Sequence, residues 1–301
     1  MALRSIHCSI FDIKEIEKTM QKLLATLTLL FAAHVAVADS APPSMTINVA
    51  TLSDIRQHAG VANVTGHRGS SGSAPENTLS AILKAIEEGA GYAEIDVQET
   101  ADGVLVLMHD SNPRRTTGID KPLWEITYDS LIQASAGSWY NARFEQEKVP
   151  TLEEALVLAA KGNLKLNIEL KNYGHQKQLA EKTVQLIEKH DFVERCIVTS
   201  FDKSLLGKVK KLNKQIKTGL IIDSPPTEEV FKSGDYEAIS AAHNLIYQDF
   251  MAKAAKYGKE VYAWIVNDKY TAQRLLKLGV KNFISDYPKQ MIAWVSEHTQ
   301  P

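Results

Sequence analysis

The sequence has few cysteines, few aromatic residues and little net charge, and each shortage excludes a class of protein. Cys8 and Cys196 are the only cysteines among 301 residues, and no Cys-x-x-Cys or Cys/His cluster accompanies them, which argues against a structural zinc site. A net charge of -2 and an aromatic content of 7% lack the basic excess and the stacking rings typical of nucleic-acid-binding proteins. We therefore expect no nucleic-acid partner. Hydrophobic residues make up 44% of the chain, enough for one large domain or two small ones.

Long apolar runs are also lacking. The run from Leu23 to Val37 is too short and too weakly flanked to predict a stable membrane span. It follows Lys22 and ends at the small residues Ala36-Val37-Ala38, a pattern typical of a secretory signal peptide. We expect cleavage after Ala38 and export, in a bacterial host to the periplasm. An uncleaved anchor is the alternative.

The signal pattern also divides the chain. Residues 1–19 precede it and contribute nothing to it, so we interpret them as an over-extended start, with 20–38 as the signal peptide. Residues 39–60 form a lead-in, and 61–301 form one domain. Cleavage leaves Cys196 alone in "RCIVTSF", which excludes an intramolecular disulfide and predicts a small buried hydrophobe.

Strand-like and helical patterns alternate along the domain. We predict strands near 61–67, 92–98, 164–170, 195–201, 217–223, 238–242, 260–266 and 281–285, with helices such as "NTLSAILKAIEEGA" between them. Two of these helices begin at a Thr or Asp cap, Thr151 and Asp268, and Asn77-Thr78 open another. Eight such alternations predict a closed (β/α)₈ TIM barrel, with a doubly wound open sheet as the alternative. A polar, turn-rich stretch over 110–150 interrupts the alternation of strands and helices and predicts an insertion after the second strand region.

Ionisable side chains stand where several of the predicted strands end. His67 and Arg68 end the first strand, Glu94 and Asp96 lie on one face of the second, and Glu169 and Lys171 end "LKLNIELK". His109 and Asp110 end the strand-like "VLVLMHD", and Asn267 and Asp286 end two later strands. In a barrel these positions share one rim. Two like charges on one face repel each other unless a cation joins them, and three carboxylates without cysteine favour Mg²⁺ or Ca²⁺ as the cofactor.

Several segments closely resemble the glycerophosphodiester phosphodiesterases. They are "HRGSSGSAPENT", "EIDVQETADGVLVLMHDSNPRRTTG", "VPTLEEAL", "NIELK", "TSF", "WIVN" and "FISDYP", in the family's order over about residues 61–290. The resemblance implies a phosphodiesterase-type barrel, one divalent cation and hydrolysis of a small-molecule glycerophosphodiester.

The resemblance also assigns roles to residues of this chain. It implies metal ligands at Glu94, Asp96 and Glu169, proton transfer by His67 and His109, and phosphate or substrate binding by Arg68, Lys171, Glu76 and Asn77. Trp264, near a strand end, is a further candidate for the pocket wall. The insertion aromatics Trp124, Trp139, Tyr140 and Phe144 either cover the substrate alcohol or anchor the insertion.

Three functions stay open from the sequence. The first is hydrolysis of soluble glycerophosphodiesters to glycerol 3-phosphate and an alcohol. The second is a lysophospholipase D-like reaction on lipidic substrates, and the third is an exported, non-catalytic binding protein. For the enzymes, either water or a neighbouring glycerol hydroxyl attacks phosphorus, the latter through a cyclic phosphate.

The signal-peptide interpretation makes a direct prediction. Expression of the full chain in a bacterium should yield a periplasmic protein whose first residue is Asp39, because signal peptidase cleaves after the small residues of an A-x-A site. Intact-mass measurement and N-terminal sequencing of the exported protein check this. A purified protein that retains Met1 would show the interpretation to be wrong.

Overall fold

The computed structural model describes residues 63–299. The predicted start, signal peptide and lead-in, together with residues 61 and 62 of the first predicted strand, lie outside the described residues. Within 63–299, none of the helices has the length and apolarity needed to cross a bilayer.

Eight parallel strands close into a barrel, and a ninth strand, β3 Leu105–Leu107, lies outside it. In chain order the barrel strands are β1 Asn63–Gly66, β2 Tyr92–Glu99, β4 Lys165–Leu170, β5 Cys196–Ser200, β6 Lys217–Ile222, β7 Ala238–Ala242, β8 Glu260–Trp264 and β9 Asn282–Ser285. Each barrel strand pairs in parallel with its sequence neighbour in the barrel, and β1 closes the ring by pairing with both β2 and β9. The prediction of a (β/α)₈ barrel is confirmed, and the open-sheet alternative is wrong.

Helices surround the barrel and cover its apolar outer face. They are α1 Leu79–Glu87, α2 Arg114–Thr117, α3 Tyr128–Leu131, α4 Leu152–Lys161, α5 Leu179–Lys189, α6 Lys203–Leu212, α7 Glu228–Lys232, α8 Gln248–Lys256, α9 Lys269–Lys277 and α10 Pro288–Thr299. The side chains of Thr151 and Asp268 cap α4 and α9 as predicted, and Thr78 caps α1. Cys196 is buried in β5, and burial raises the pKa of its thiol to about 12, so it packs as a hydrophobe.

The short strand β3 runs antiparallel to β2. This reversal carries the chain back along β2, where the Met108 amide donates to the Asp96 carbonyl at 2.9 Å. His109 therefore reaches the same rim as the barrel strand ends without belonging to a barrel strand.

The segment predicted as an insertion contains α2, α3 and two short 3-10 helices, Leu123–Glu125 and Ala142–Phe144. Its apolar side chains form a small core of their own with β3, made of Val106, Met108, Leu123, Ile126, Leu131, Ala136 and Val149. This local core gives the loop a defined shape despite its polar composition.

Two glycines allow the turn that follows β1. A Cβ on Gly66 would lie 2.3 Å from the Gly69 carbonyl oxygen, and Gly69 itself has φ +84° and packs against the backbone of Ala81. The Gly69 amide donates to the Glu94 carbonyl at 3.0 Å. The turn is therefore pressed between β2 and α1, where no side chain fits.

Gly69→Ala tests this packing. We expect a loss of about 2 kcal/mol or more in the free energy of unfolding, because alanine combines a left-handed backbone with overlap against Ala81. Gly207→Ala, within α6, is the matched control. A Cβ on Gly207 would point into open space, so alanine there should stabilise by about 0.5–1 kcal/mol. Urea unfolding measures both. Equal stability of the two variants would contradict the packing.

Candidate active site

A cavity of about 180 Å³ opens at the carboxyl ends of the barrel strands. Its lining includes eight of the ten residues predicted from the sequence: His67, Arg68, Glu94, Asp96, His109, Glu169, Lys171 and Trp264. The barrel thus brings together side chains from β1, β2, β4, β8 and the β3 end. Glu76 and Asn77 are not among the lining residues.

Three carboxylates lie together at the base of the cavity. Alternation along β2 directs Glu94 and Asp96 to the same side, and Asp96 is the register partner of Glu169 on β4. One carboxylate oxygen from each residue lies within 4.8 Å of the others. All three residues are buried.

The mutual repulsion of these carboxylates appears in their pKa values. Burial, followed by the charges of Asp96 and Glu169, raises the pKa of Glu94 well above its usual range. Burial and Asp96 raise the pKa of Glu169 to about 7. Burial also acts to raise the pKa of Asp96, but Lys171, Arg68 and His109 outweigh it and lower that pKa. Burial and the proximity of like charges therefore both disfavour simultaneous ionisation of the three carboxylates.

Two cations border the carboxylates. The Lys171 ammonium lies 2.9 Å from Glu169 Oε1 and 3.5 Å from Asp96 Oδ1. Arg68 Nε lies 3.4 Å from Asp96 Oδ2, and the Arg68 amide donates to Glu94 Oε2 at 2.8 Å. Burial acts to lower the pKa of each cation, but the carboxylates outweigh it and raise both pKa values, so both groups stay charged.

The two histidines of the cavity each have a carboxylate at Nδ1. His67 Nδ1 lies 2.7 Å from Asp286 Oδ1, and His109 Nδ1 lies 2.8 Å from Asp110 Oδ1. A carboxylate at Nδ1 favours the tautomer with a proton there and leaves Nε2 as the other functional nitrogen. Burial lowers the pKa of His109, which favours its neutral form near neutral pH.

Asp286 binds His67, and the sequence assigned it no role in the site. Burial acts to raise its pKa, but hydrogen bonds from His67, Ser71 and Asn267 outweigh it and lower the pKa to about 2. It is therefore ionised throughout the physiological range. The position at the end of a predicted strand was visible in the sequence, but the pairing spans 219 residues and has no local signal.

Glu76 and Asn77 form hydrogen bonds with residues that line the cavity. The Asn77 side chain donates to Asp96 Oδ2 at 2.8 Å and accepts from the Asp96 amide at 3.0 Å. Arg68 donates to Glu76 Oε1 at 2.7 Å. In the structure these two residues hold Asp96 and Arg68 in place.

The cavity also has apolar lining residues. They are Phe201, Trp264, Ile221, Ile265 and Ile284. The Trp264 indole donates to the Ser240 carbonyl at 2.9 Å and packs edge to face with Phe201, which fixes its ring. The cavity is thus lined by both charged and hydrophobic side chains, and the Lys171 ammonium lies 6.0 Å from the centre of the Phe201 ring.

The four insertion aromatics are not among the residues that line this cavity. Trp124 stacks on His175 with ring centroids 3.9 Å apart, and the Tyr140 hydroxyl donates to the Gly72 carbonyl at 2.9 Å. Trp139, Tyr140 and Phe144 pack edge to face in series. These contacts favour the anchoring alternative over coverage of a substrate.

The donor set at the base of the cavity fits a hard divalent cation. Mg²⁺ and Ca²⁺ prefer carboxylate oxygens, and three buried carboxylates without cysteine match that preference better than a thiolate site would. Burial and the neighbouring carboxylates raise the pKa values of Glu94 and Glu169, and a bound cation would favour their ionised forms. Glu94, Asp96 and Glu169 could therefore hold one metal ion.

Comparison with known proteins agrees with this geometry. Residues 67–290 match the model of the glycerophosphoryl diester phosphodiesterase family. The chain is 33% identical over 232 residues to a glycerophosphodiester phosphodiesterase of Caldanaerobacter subterraneus subsp. tengcongensis, covering 76% of this chain and 96% of that protein. It is 30% identical over 234 residues to glycerophosphodiester phosphodiesterase 1 of Bos taurus, covering 67% of this chain and 70% of that protein.

A solved structure shows the same likeness. The fold superposes with a TM-score of 0.74 on an Oleispira antarctica phosphodiesterase bound to its product sn-glycerol-3-phosphate, at 30% identity and over 78% of this chain and 97% of that one. The family match covers well over half of the chain and includes the whole cavity. The chain therefore belongs to the glycerophosphoryl diester phosphodiesterase family, and it is a phosphoric diester hydrolase.

Proposed function

We propose that the protein hydrolyses soluble glycerophosphodiesters to glycerol 3-phosphate and an alcohol, with one divalent cation, Ca²⁺ or Mg²⁺, and two acid/base histidines. The observation that carries the proposal is one cavity in which three buried carboxylates, two cations and two carboxylate-bound imidazoles converge. A binding protein has no need of a proton-transfer pair, which disfavours the non-catalytic alternative.

The charges of the site match a phosphodiester. Glu94, Asp96 and Glu169 contribute three negative charges when ionised, and Arg68 and Lys171 contribute two positive ones. A bound dication would turn this balance from one negative to one positive charge, opposite to the single negative charge of a phosphodiester. Such an ion supplies Lewis-acid polarisation of a phosphoryl oxygen.

Arg68 and Lys171 are the side chains suited to bind the phosphate. One guanidinium NH₂ group of Arg68 donates to Glu76, and the Arg68 Nε is buried without a hydrogen-bond partner among the described residues. A guanidinium fork matches phosphate oxygens, and the Lys171 ammonium adds a point charge beside it. Both would stabilise the charge that develops on the oxygens in the transition state.

His67 and His109 are the groups suited to move protons. Each lines the cavity and has Nδ1 bound to a carboxylate, which leaves Nε2 as the nitrogen for proton transfer. One imidazole would take the proton of the attacking hydroxyl or water, and the other would donate a proton to the departing alcohol oxygen.

The apolar lining residues provide a place for the alcohol. At about 180 Å³ the cavity is small compared with pockets that enclose drug-sized ligands, so it suits a glycerophosphoryl group, with the alcohol beside Trp264 and Phe201. Export to the periplasm, proposed from the sequence, would expose the enzyme to such soluble substrates.

The metal assignment predicts the behaviour of Glu94→Gln. We expect release of glycerol 3-phosphate from glycerophosphocholine to fall by about 10²-fold or more, because the site loses one metal ligand and its charge. The amide oxygen still accepts from the Arg68 amide, and removal of a buried, repelled carboxylate should maintain or raise the melting temperature of the metal-free protein.

Glu87→Gln, on the exposed face of α1, is the matched control and should keep full activity. Wild-type protein treated with a chelator should lose activity and regain it on addition of Ca²⁺ or Mg²⁺. Full activity of Glu94→Gln, or of chelator-treated wild type, would show that the carboxylates do not hold a required metal.

The histidine assignment predicts a dependence on the leaving group. His67→Asn and His109→Asn should each lower turnover of glycerophosphocholine by about 10²- to 10⁴-fold. The p-nitrophenyl ester of glycerol phosphate releases a phenolate that leaves without protonation. With this substrate, the variant that lacks the general acid should recover most of its lost turnover, and the other variant should not. Comparison of kcat for both substrates identifies the acid.

His190→Gln is the control, because His190 bonds Glu153 outside the cavity. It should behave as wild type with both substrates. Near-normal turnover of glycerophosphocholine by either cavity variant would exclude that histidine from proton transfer.

A further inference from the structure

Each oxygen of the Asp110 carboxylate takes part in a hydrogen bond. Oδ1 lies 2.8 Å from His109 Nδ1, and Oδ2 accepts from Arg115 Nε at 2.7 Å. Burial acts to raise the pKa of Asp110, but the hydrogen bonds from Arg115 and His109 outweigh it and lower that pKa. Arg115 thus keeps the carboxylate ionised and fixes its orientation toward the imidazole.

The rest of the Arg115 guanidinium is bound to a second carboxylate. Its two NH₂ groups donate to the two oxygens of Glu76, each at 2.7 Å. Glu76 Oε1 also accepts from Arg68 at 2.7 Å. A single planar fork therefore bridges the carboxylate that orients His109 and the carboxylate that orients Arg68.

Arg115 acts from outside the cavity. It lies in α2, within the insertion, is not among the cavity-lining residues, and keeps 44% of its side chain exposed. Glu76 belongs to the turn after β1. The bridge consequently connects the insertion to the barrel at the point where both reach the site.

The bridge formed by Arg115 controls the orientation of the His109 side chain. Gln98 donates to the carbonyls of Met108, His109 and Asp110, and the Tyr173 hydroxyl donates to the His109 carbonyl at 2.8 Å. The backbone at His109 is thus held independently of Arg115. The ring has Asp110 as its hydrogen-bond partner, and Asp110 is in turn bound by Arg115.

An ordinary surface ion pair is the alternative interpretation. Exposed pairs contribute little to stability, because water and salt screen their charges. Arg115 differs because all three of its nitrogens donate to carboxylates that themselves bind groups of the site. Its neighbour Arg114 shows the ordinary case, with 71% of the side chain exposed and a 3.1 Å contact to Asp120.

We propose that Arg115 is a positioning residue for the phosphodiesterase reaction, which orients the His109 imidazole through Asp110 and the Arg68 guanidinium through Glu76. The inference rests on the proposed roles of His109 and Arg68. Since misplacement of a reacting group by about 1 Å costs about 10²-fold in rate, loss of the bridge should lower kcat by about 10- to 10²-fold.

The test uses Arg115→Met and Arg115→Lys, assayed for kcat and KM with glycerophosphocholine. Methionine removes all three donors, whereas lysine keeps the charge but reaches only one of the two carboxylates. We expect kcat to fall in both variants, more strongly in Arg115→Met, with melting temperatures within about 4 °C of wild type. Arg114→Met is the matched control and should keep wild-type kcat and KM.

A double-variant comparison separates positioning from a general structural effect. Asp110→Asn lowers kcat through the same path, so the combined Arg115→Met/Asp110→Asn variant should lose less than the product of the two single losses. Wild-type kcat in both Arg115 variants, or losses that multiply, would overturn the inference. If Arg115→Met fails to fold, Arg115→Lys alone decides.

His109→Asn separates this inference from the proposed function. An inactive His109→Asn beside fully active Arg115 variants would overturn the positioning role and leave the role of His109 intact. Full activity of His109→Asn would overturn the role of His109 and the positioning inference that rests on it.

Discussion

Repulsion among three buried carboxylates is the constraint on which the site depends. Glu94, Asp96 and Glu169 are placed within reach of one ion, and burial together with mutual repulsion raises the pKa of two of them. Arg68 and Lys171 offset part of this charge, and in doing so are themselves fixed at the cavity. The positions of the cations therefore follow from those of the carboxylates. When all three carboxylates are ionised, one negative charge remains uncompensated, and their oxygens are ligands that suit a hard dication.

The barrel makes this costly arrangement stable. Parallel register between β2 and β4 sets Asp96 beside Glu169, and the turn after β1 directs the Arg68 amide to Glu94. The parallel ladder between β2 and β4 and buried apolar side chains such as Ile95 and Ile168 hold these segments in place. Rigid strands can thus carry groups that repel each other, because the free energy of the whole fold opposes their separation.

Each imidazole is oriented by a carboxylate, and the two carboxylates belong to different parts of the molecule. Asp286, at the end of the last strand, serves His67, and Asp110, at the start of the insertion, serves His109. Closure of the barrel therefore controls one histidine. The insertion, with its own small core and the Arg115 bridge, controls the other. The insertion is in this sense part of the active site although its aromatic side chains do not line the cavity.

The sequence alone determined the strand and helix alternation, the barrel and the residues at the strand ends, because these depend on local periodicity and on the rule that parallel strands end at one rim. It placed Glu94 and Asp96 on one face, since alternation along a strand is a local property. The pairing of His67 with Asp286, the attachment of Asn77 to Asp96, and the Arg115 bridge were decided by the tertiary structure. These contacts join segments up to 219 residues apart, and only closure of the barrel and packing of the insertion bring their atoms within hydrogen-bond distance.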